Sequence, residues 1–263
     1  MIAQRFARAA ARYEAAALAQ QASAERLARE IGRLRRGRIR RMLDAGCATG
    51  LFAKTVLEAT GERPERLVMN DLSHELAEAA AQRAAPFARR AEPLPGDAAK
   101  LELAAGEFDL ILSGWCLQWL DDPAAFLRRA YRALAPGGLL AVSAALSGTH
   151  QEIRAVTGRS LAYRPFDAWR AMLPAAPAFE EVHEMKLAFN DARSLLRHIR
   201  DTGVNALPSD GGRPWTRTRL ADFEEELVSR FGRPIPLTYE AAHLIWRAPA
   251  NLPGADEAGS SMP

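Results

Sequence analysis

The chain has 263 residues, of which 48% are apolar and 25% charged, and its formal net charge is +3. That length suits one large α/β domain, or a domain with a lid, and the apolar content is enough for a sizeable core. No apolar run approaches the ~20 residues that a membrane span needs, which excludes a helical membrane protein. The start, Met1-Ile2-Ala3-Gln4-Arg5-Phe6, lacks the apolar stretch and small-residue cleavage site of a secretory signal. Its Arg/Ala richness hints at a mitochondrial transit peptide, but Glu14 and a helical pattern running through Leu27 argue against that. A cytoplasmic protein, monomeric or weakly dimeric, is expected.

In chain order, Phe6 to Glu30 reads as helical, with Phe6, Ala9, Ala10, Tyr13, Ala17 and Leu18 on one face. Eight arginines follow closely, at 26, 29, 33, 35, 36, 38, 40 and 41. Most of them suit a solvated helix and loop, and the alternative is a docking face for an acidic partner. From Met42 to Ala145 strands and helices alternate, which implies a parallel sheet covered on both faces. Arg41-Met42-Leu43-Asp44 is a short buried strand, and Leu51 to Thr60 a helix stopped by Gly61. Leu67 to Asp71 is the second strand, and Ser73 caps the helix carrying Leu76, Ala80 and Ala84. A third strand lies near Ala91–Leu94, and Phe108 to Ser113 is the fourth. Phe126, Leu127, Ala130, Tyr131 and Leu134 form a helical stripe ended by Pro136-Gly137-Gly138, and Leu139 to Ala145 is the fifth strand. Residues 147–178 are expected to be irregular or helical. Glu184 to Phe189 alternates like a strand, Ala192 to Asp201 and Arg219 to Phe231 look helical, and Tyr239 to Trp246 suits a last strand. The expected organisation is an N-terminal helical lid over 1–36, an α/β domain over 37–248 with helical insertions near 147–180 and 191–235, and a disordered tail over 249–263.

The two cysteines, Cys47 and Cys116, make neither a disulfide framework nor a metal motif, and the five histidines stand at no ligand spacing. No metal is expected. The informative segment is Asp44-Ala45-Gly46-Cys47-Ala48-Thr49-Gly50, a Gly-rich turn between strand and helix where backbone can approach a ligand closely. A dinucleotide site would need Gly at 48 and 51, where the chain has Ala48 and Leu51. The acidic-x-G-x-G-x-G pattern of S-adenosylmethionine enzymes matches at Asp44, Gly46 and Gly50 and departs at Ala48. A carboxylate there favours a sulfonium or ammonium and would repel a pyrophosphate. Asp71 ends the second strand about 20 residues on, where a carboxylate can accept from ribose hydroxyls. Gly96-Asp97-Ala98 follows the third strand and suits an adenine edge. Ser113-Gly114 ends the fourth strand beside the expected methyl-transfer position. The expected cofactor-binding set is Asp44, Gly46, Cys47, Gly50, Asp71, Leu72, Asp97, Ala98 and Ser113. Because Cys47 follows the first strand and Cys116 the fourth, both are expected near this pocket.

After the fourth strand the chain reads Ser113-Gly114-Trp115-Cys116-Leu117-Gln118-Trp119. It lacks the Asn/Asp-Pro-Pro-aromatic run with which base methyltransferases grip a flipped base, and no nucleic-acid partner is expected. No His or Lys stands out as a general base there, and an acceptor that is already a carboxylate needs none. For Trp115 and Trp119 packing beside the pocket is expected, and for Tyr239 packing or hydroxyl capping.

Four stretches resemble the malonyl-acyl-carrier-protein O-methyltransferases of biotin synthesis, the BioC family. They are Phe6 to Glu14 continuing to Ala17-Leu18-Ala19-Gln20; Leu43-Asp44-Ala45-Gly46-Cys47 with Leu117-Gln118-Trp119; Arg197-His198-Ile199-Arg200-Asp201-Thr202-Gly203; and Pro236-Leu237-Thr238-Tyr239. The likeness covers about residues 5 to 248, and its departures are Ala48 for Gly and Ala16 where the family often has His. It implies a class I methyltransferase (Rossmann-like) fold, with a seven-stranded mostly parallel sheet, helices on both faces, an N-terminal helical extension and a helical lid insertion. It implies S-adenosylmethionine as cofactor and methyl transfer to the free carboxylate of a malonyl thioester. The partner would be an acidic acyl carrier protein, or malonyl-CoA would serve. No catalytic residue is assigned. Tyr13 and Gln20 are candidates to close the pocket, and Arg197 or Arg200 to pair with the malonyl carboxylate. The competing readings are a small-diacid carboxyl methyltransferase of the trans-aconitate type, a methyltransferase-like assembly factor or hydroxylase, and an RNA-binding methyltransferase.

Overall fold

The computed structural model describes residues 13, 15–159, 161–202 and 216–250. The expected helix before Tyr13, Gly203 of the basic segment and the tail beyond 250 lie outside the described residues. One seven-stranded sheet organises the chain, from β1 (Arg41–Ala45), β2 (Arg66–Asp71), β3 (Ala91–Pro95), β4 (Phe108–Gly114), β5 (Leu134–Ala145), β6 (Phe179–Phe189) and β7 (Ile235–Arg247). Their order is β3-β2-β1-β4-β5-β7-β6. The first five run parallel, and β7 is antiparallel to both neighbours. The order reverses between β1 and β4, so the loops after these two strands part and leave a crevice at their carboxyl ends.

The sequence of β1 shows why the sheet is buried on both sides. Met42 packs with Leu27, Ile31 and Val56, while the next residue, Leu43, packs with Phe126 and Leu127 on the opposite face. The first face is covered by α1 (Leu18–Leu34), α2 (Leu51–Thr60), α3 (His74–Ala84), α5 (Gln151–Thr157), α7 (Ala192–Asp201) and α8 (Arg217–Phe231). The second is covered by α4 (Pro123–Arg132) and α6 (Phe166–Arg170). Ser73 caps α3 through Leu76 N–H, and Gly61 closes α2 in the left-handed conformation.

Three boundaries differ from expectation. The helical stripe through Leu134 ends early: α4 stops at Arg132, and Leu134 opens β5 by pairing with Phe108. Leu134 is fully buried beside Phe126 and Leu127 either way, so apolar spacing cannot distinguish the two states. Pro136-Gly137-Gly138 lies inside the strand as an irregularity, with Gly137 at φ +76°. The N-terminal helix is interrupted at Ala17 (φ −78°, ψ 39°), and α1 continues to Leu34. β6 and β7 are longer than their sequence patterns suggest, because they pair with each other over eleven positions. β6 is an edge strand that alternates half-buried and exposed residues, with Glu180, Glu184 and Lys186 outward.

The arginine cluster divides among local partners. Arg26 pairs with Glu181, Arg33 with Glu30, and Arg35 with Glu62. The backbone amides of Arg40 and Arg41 both donate to Asp109. Arg40 and Arg41 stand where β1 begins, at the opposite end of the sheet from the Gly46–Gly50 loop.

Candidate active site

The loop after β1 is shaped by close approach. Gly46 and Gly50 have φ of +74° and +79°. The amides of Gly46 and Cys47 both donate to Asn70 O, at 2.9 and 2.8 Å. A Cβ on Gly46 would lie 2.1 Å from Cys116 Sγ, so the loops after β1 and β4 touch here with no room for a side chain. Above this contact is a cleft of about 200 Å³ whose walls include Tyr13, Gly46, Ala48, Asn70, Asp71, Leu72, Asp97, Ala98, Trp115, Cys116 and Trp119.

Four acceptor side chains border or underlie the cleft. Asp44 is 1% exposed, and one oxygen accepts from Ala53 N–H at 3.3 Å while the other has no partner among the described residues. Burial pushes its carboxyl up to about 7; the Ala53 N–H pulls it down and Asp71 pushes it up further. Asp71 accepts from Ala48 N–H at 3.0 Å and from Ser73 N–H at 2.9 Å, and each oxygen keeps a lone pair for a further donor. Burial raises it as well, against the pull of those backbone bonds. Asp97 accepts from Ala99 N–H at 2.9 Å. Asn70, which sequence reasoning missed, donates to the carbonyls of Leu94 and Gly96, and its own Oδ1 is buried with no partner among the described residues. Its position at the end of β2, one residue before Asp71, was the available signal.

The other expected site residues separate. Tyr13 lines the cleft, whereas Gln20 is buried on α1 and is not among the lining residues. Ser113 is fully buried and donates to Ala45 O at 3.0 Å, so it ties β4 to β1 rather than facing the cleft. Cys47 and Gly50 lie in the loop behind the wall, and Cys116 is in the wall itself. Arg197 and Arg200 are exposed on α7 and do not line the cleft; Arg200 pairs with Asp201 at 3.3 Å. The inner side of α7 carries Leu195, Ile199 and His198, whose Nε2 meets the Tyr239 hydroxyl at 2.8 Å. A second missed contact joins α1 to the site: Trp115 Nε1 donates to Ser23 Oγ at 3.0 Å. Among the described residues, no His/Cys/Asp/Glu group could hold a metal ion, and no helix is long and apolar enough to cross a membrane.

Three non-glycine residues among those described have positive φ: Ala48, Trp115 and His150, at +47°, +53° and +56°. They follow β1, β4 and β5, so the backbone strain collects at the carboxyl edge of the sheet. At Ala48 the strain has a simple test. Ala48→Gly is expected to stabilise the fold by about 1 kcal/mol, or to raise cofactor affinity a few-fold. Thermal unfolding and S-adenosylhomocysteine titration would measure it, and a less stable, weaker-binding Gly variant would contradict it.

The donor set decides which molecule fits. Carboxylates at Asp71 and Asp97 and the open oxygens of Asn70 and Asp44 suit hydroxyls, an amine and a cation, and they would repel phosphates. This fits S-adenosylmethionine and disfavours a dinucleotide.

Comparison with known proteins agrees. Residues 43–142 match the family model described as a methyltransferase domain. A malonyl-[acyl-carrier protein] O-methyltransferase of Bacteroides helcogenes is 31% identical, over 93% of this chain and 97% of that protein. The one from Chlorobium luteolum is 32% identical over 94% of each chain. The crystal structure of a putative methyltransferase from Bacillus halodurans superposes with a TM-score of 0.60 at 16% identity, covering 85% of this chain and 98% of that one, a likeness of fold. The chain is thus an S-adenosylmethionine-dependent methyltransferase of the class I fold, and it belongs to the malonyl-[acyl-carrier protein] O-methyltransferase family.

Proposed function

We propose that the chain methylates the free carboxylate of a malonyl group held as a thioester on acyl carrier protein, or on coenzyme A, and so primes an acyl chain for biotin synthesis. The observation that carries this is the similarity to malonyl-[acyl-carrier protein] O-methyltransferases over more than nine-tenths of both chains. The chemistry of the cleft supports it. The described lining residues include no His, Lys or Arg. The Cys116 thiol is pushed up to about 12, chiefly by burial, and burial likewise raises the Tyr13 hydroxyl. Neither takes a proton from an acceptor at neutral pH, which suits an acceptor that arrives as an anion.

Bound S-adenosylmethionine supplies an electrophilic methyl group on a sulfonium. The chain's own residues bind and orient. Asp71 and Asp97 hold the nucleoside end, Asp44 favours the cationic end, and Gly46, Cys47 and Gly50 let the loop come close. Leu72 and Ala98 flank the base. Tyr13, Trp115 and Trp119 keep water from the reacting carboxylate, which strengthens its attraction to the cation and preserves its nucleophilicity. Ser113 contributes by fixing β4 against β1. Gln20 supports the lid from within α1. The exposed Arg197 and Arg200, together with Arg193, suit steering of an acidic carrier protein towards the rim, a role that does not require contact with the malonyl carboxylate.

Methyl transfer should be assayed with malonyl carrier protein, malonyl-CoA and free diacids. Malonyl thioesters are the expected substrates, and the gene should restore growth of a biotin auxotroph that lacks this step. Activity on free diacids alone would sink the proposal in favour of a small-acid methyltransferase. Cofactor binding with no methyl transfer to any malonyl thioester would favour an assembly factor or hydroxylase.

A further inference from the structure

The carboxyl ends of β4 and β5 carry a feature that the cofactor-binding set does not use. His150 is 3% exposed, and among the described residues neither of its ring nitrogens has a hydrogen-bond partner. A buried imidazole left open in this way costs free energy until something completes it. Its backbone is firmly placed, with φ +56° and its N–H donating to Thr238 O at 2.7 Å. The ring stands edge-on to Tyr239, with centroids 4.8 Å apart. Tyr239 is held in turn by His198 at its hydroxyl. Its ring lies 6.0 Å from that of Trp115, which lines the cleft. His150 is not among the lining residues of the cleft, and two ring contacts through Tyr239 connect it to Trp115 in the wall. In the sheet, β5 lies beyond β4, on the side away from the β2 and β3 loops that carry Asp71 and Asp97. Burial, and then the neighbouring His198, bring the His150 imidazole down to about 3. At neutral pH it is an uncharged ring with one N–H donor and one acceptor nitrogen.

We propose that His150 is an acceptor-binding residue, whose uncharged imidazole N–H donates to an oxygen of the acceptor's acyl group while Tyr239 and His198 fix its ring. The proposal rests on the carboxylate-acceptor reading above. It also explains how such an acceptor is oriented without harm. A guanidinium in contact would dull the carboxylate as a nucleophile, whereas a neutral donor positions it and leaves its charge available.

The test uses the full-length chain. His150→Phe keeps a ring and removes both nitrogens. His150→Asn restores an amide donor in a residue type that tolerates left-handed backbone. KM and kcat for malonyl carrier protein are measured beside the Kd for S-adenosylhomocysteine. His150→Phe is expected to lower kcat/KM for the acceptor about tenfold or more, mainly through KM, with the Kd within about twofold of wild type. His150→Asn is expected to recover part of the loss. If His150→Phe does not fold, His150→Ala removes the same nitrogens without adding volume and reads the same loss. Wild-type kcat/KM in the Phe or Ala variant would overturn the proposal, as would a loss confined to S-adenosylhomocysteine binding. In both cases the acceptor reading survives, because the wild-type chain is active. A wild-type chain that binds S-adenosylhomocysteine but methylates no malonyl thioester overturns the acceptor reading, and this proposal falls with it.

Discussion

Asp71→Ala is expected to weaken S-adenosylhomocysteine binding about a hundredfold or more. The side chain does two things at once. It accepts the amides of Ala48 and Ser73, which fixes the loop after β1 against the turn after β2. It also offers charged acceptors to the cleft, where hydrogen bonds to an ionised group contribute about 1.5–3 kcal/mol each. Two ribose hydroxyls lost together give the hundredfold figure. Calorimetric titration would measure it, with thermal unfolding as the control for the two orphaned amides. The variant should melt a few degrees lower, by loss of those bonds, and remain folded. Affinity within about fivefold of wild type in a folded variant would remove Asp71 from the cofactor site.

The carboxylates that make this site were legible because they are tied to strand ends. A strand that reads as apolar and stops at an acid places that acid at the carboxyl edge of a parallel sheet, whatever the surrounding tertiary detail. Asp71 follows that logic as the last residue of β2, while Asp44 is the penultimate residue of β1 and Asp97 comes two residues after β3; Asp71 and Asp97 stand in the cleft wall. What the sequence could not convey is contact across the crevice. The fit of Cys116 against Gly46, and the bond from Trp115 to Ser23, join segments far apart in the chain, and no local pattern announces them. His150 was hidden for another reason. A single histidine in a Gly-Thr-His-Gln loop carries no periodic signal, and its significance comes only from burial without a partner. The arginine cluster is ambiguous in the sequence, where most of it suits a solvated helix and loop and a docking face is the alternative. In the structure Arg26 and Arg35 are engaged by Glu181 and Glu62, and Arg40 and Arg41 lie at the amino edge. Composition reports how many charges there are, and topology decides which end of the sheet they occupy.

The same topology accounts for the strained residues. Ala48, Trp115 and His150 lie at the ends of β1, β4 and β5, which are consecutive neighbours in the sheet. Their left-handed conformations turn each loop sharply at the rim. The amides of Gly46, Cys47 and Ala48 in the first loop bond to Asn70 and Asp71, and the Trp115 ring stands in the cleft wall. Each such position costs about 1 kcal/mol or more, and the neighbouring loops pack closely, with Phe52 against Gly114 and Cys116 against Gly46.

Asp44 makes the binding reaction depend on pH, and the sign can be worked out. In the free protein its carboxyl sits at about 7, far above the ordinary carboxylate value, because burial disfavours the charge. A folded-state value raised in this way adds stability that is fully present below about pH 4 and is lost as pH rises through 7. The free chain should therefore melt at lower temperature at pH 8 than at pH 5.5, by an amount that Asp44→Asn removes. A cationic ligand reverses the preference by favouring the ionised form. Binding then releases a proton below pH 7 and none above it. S-adenosylmethionine affinity should be nearly constant from pH 8 down to 7 and fall by up to about tenfold per unit from there towards pH 5. Asp44→Asn should flatten that slope and lower affinity at pH 8 about tenfold to a hundredfold. Asp71 is also raised by burial, so the slope that remains in the variant is assigned to it. Titration at several pH values in two buffers of different ionisation enthalpy counts the released proton directly. An Asp44→Asn variant that keeps the wild-type slope and proton count would show that the buried carboxylate is not the group the cofactor's charge addresses.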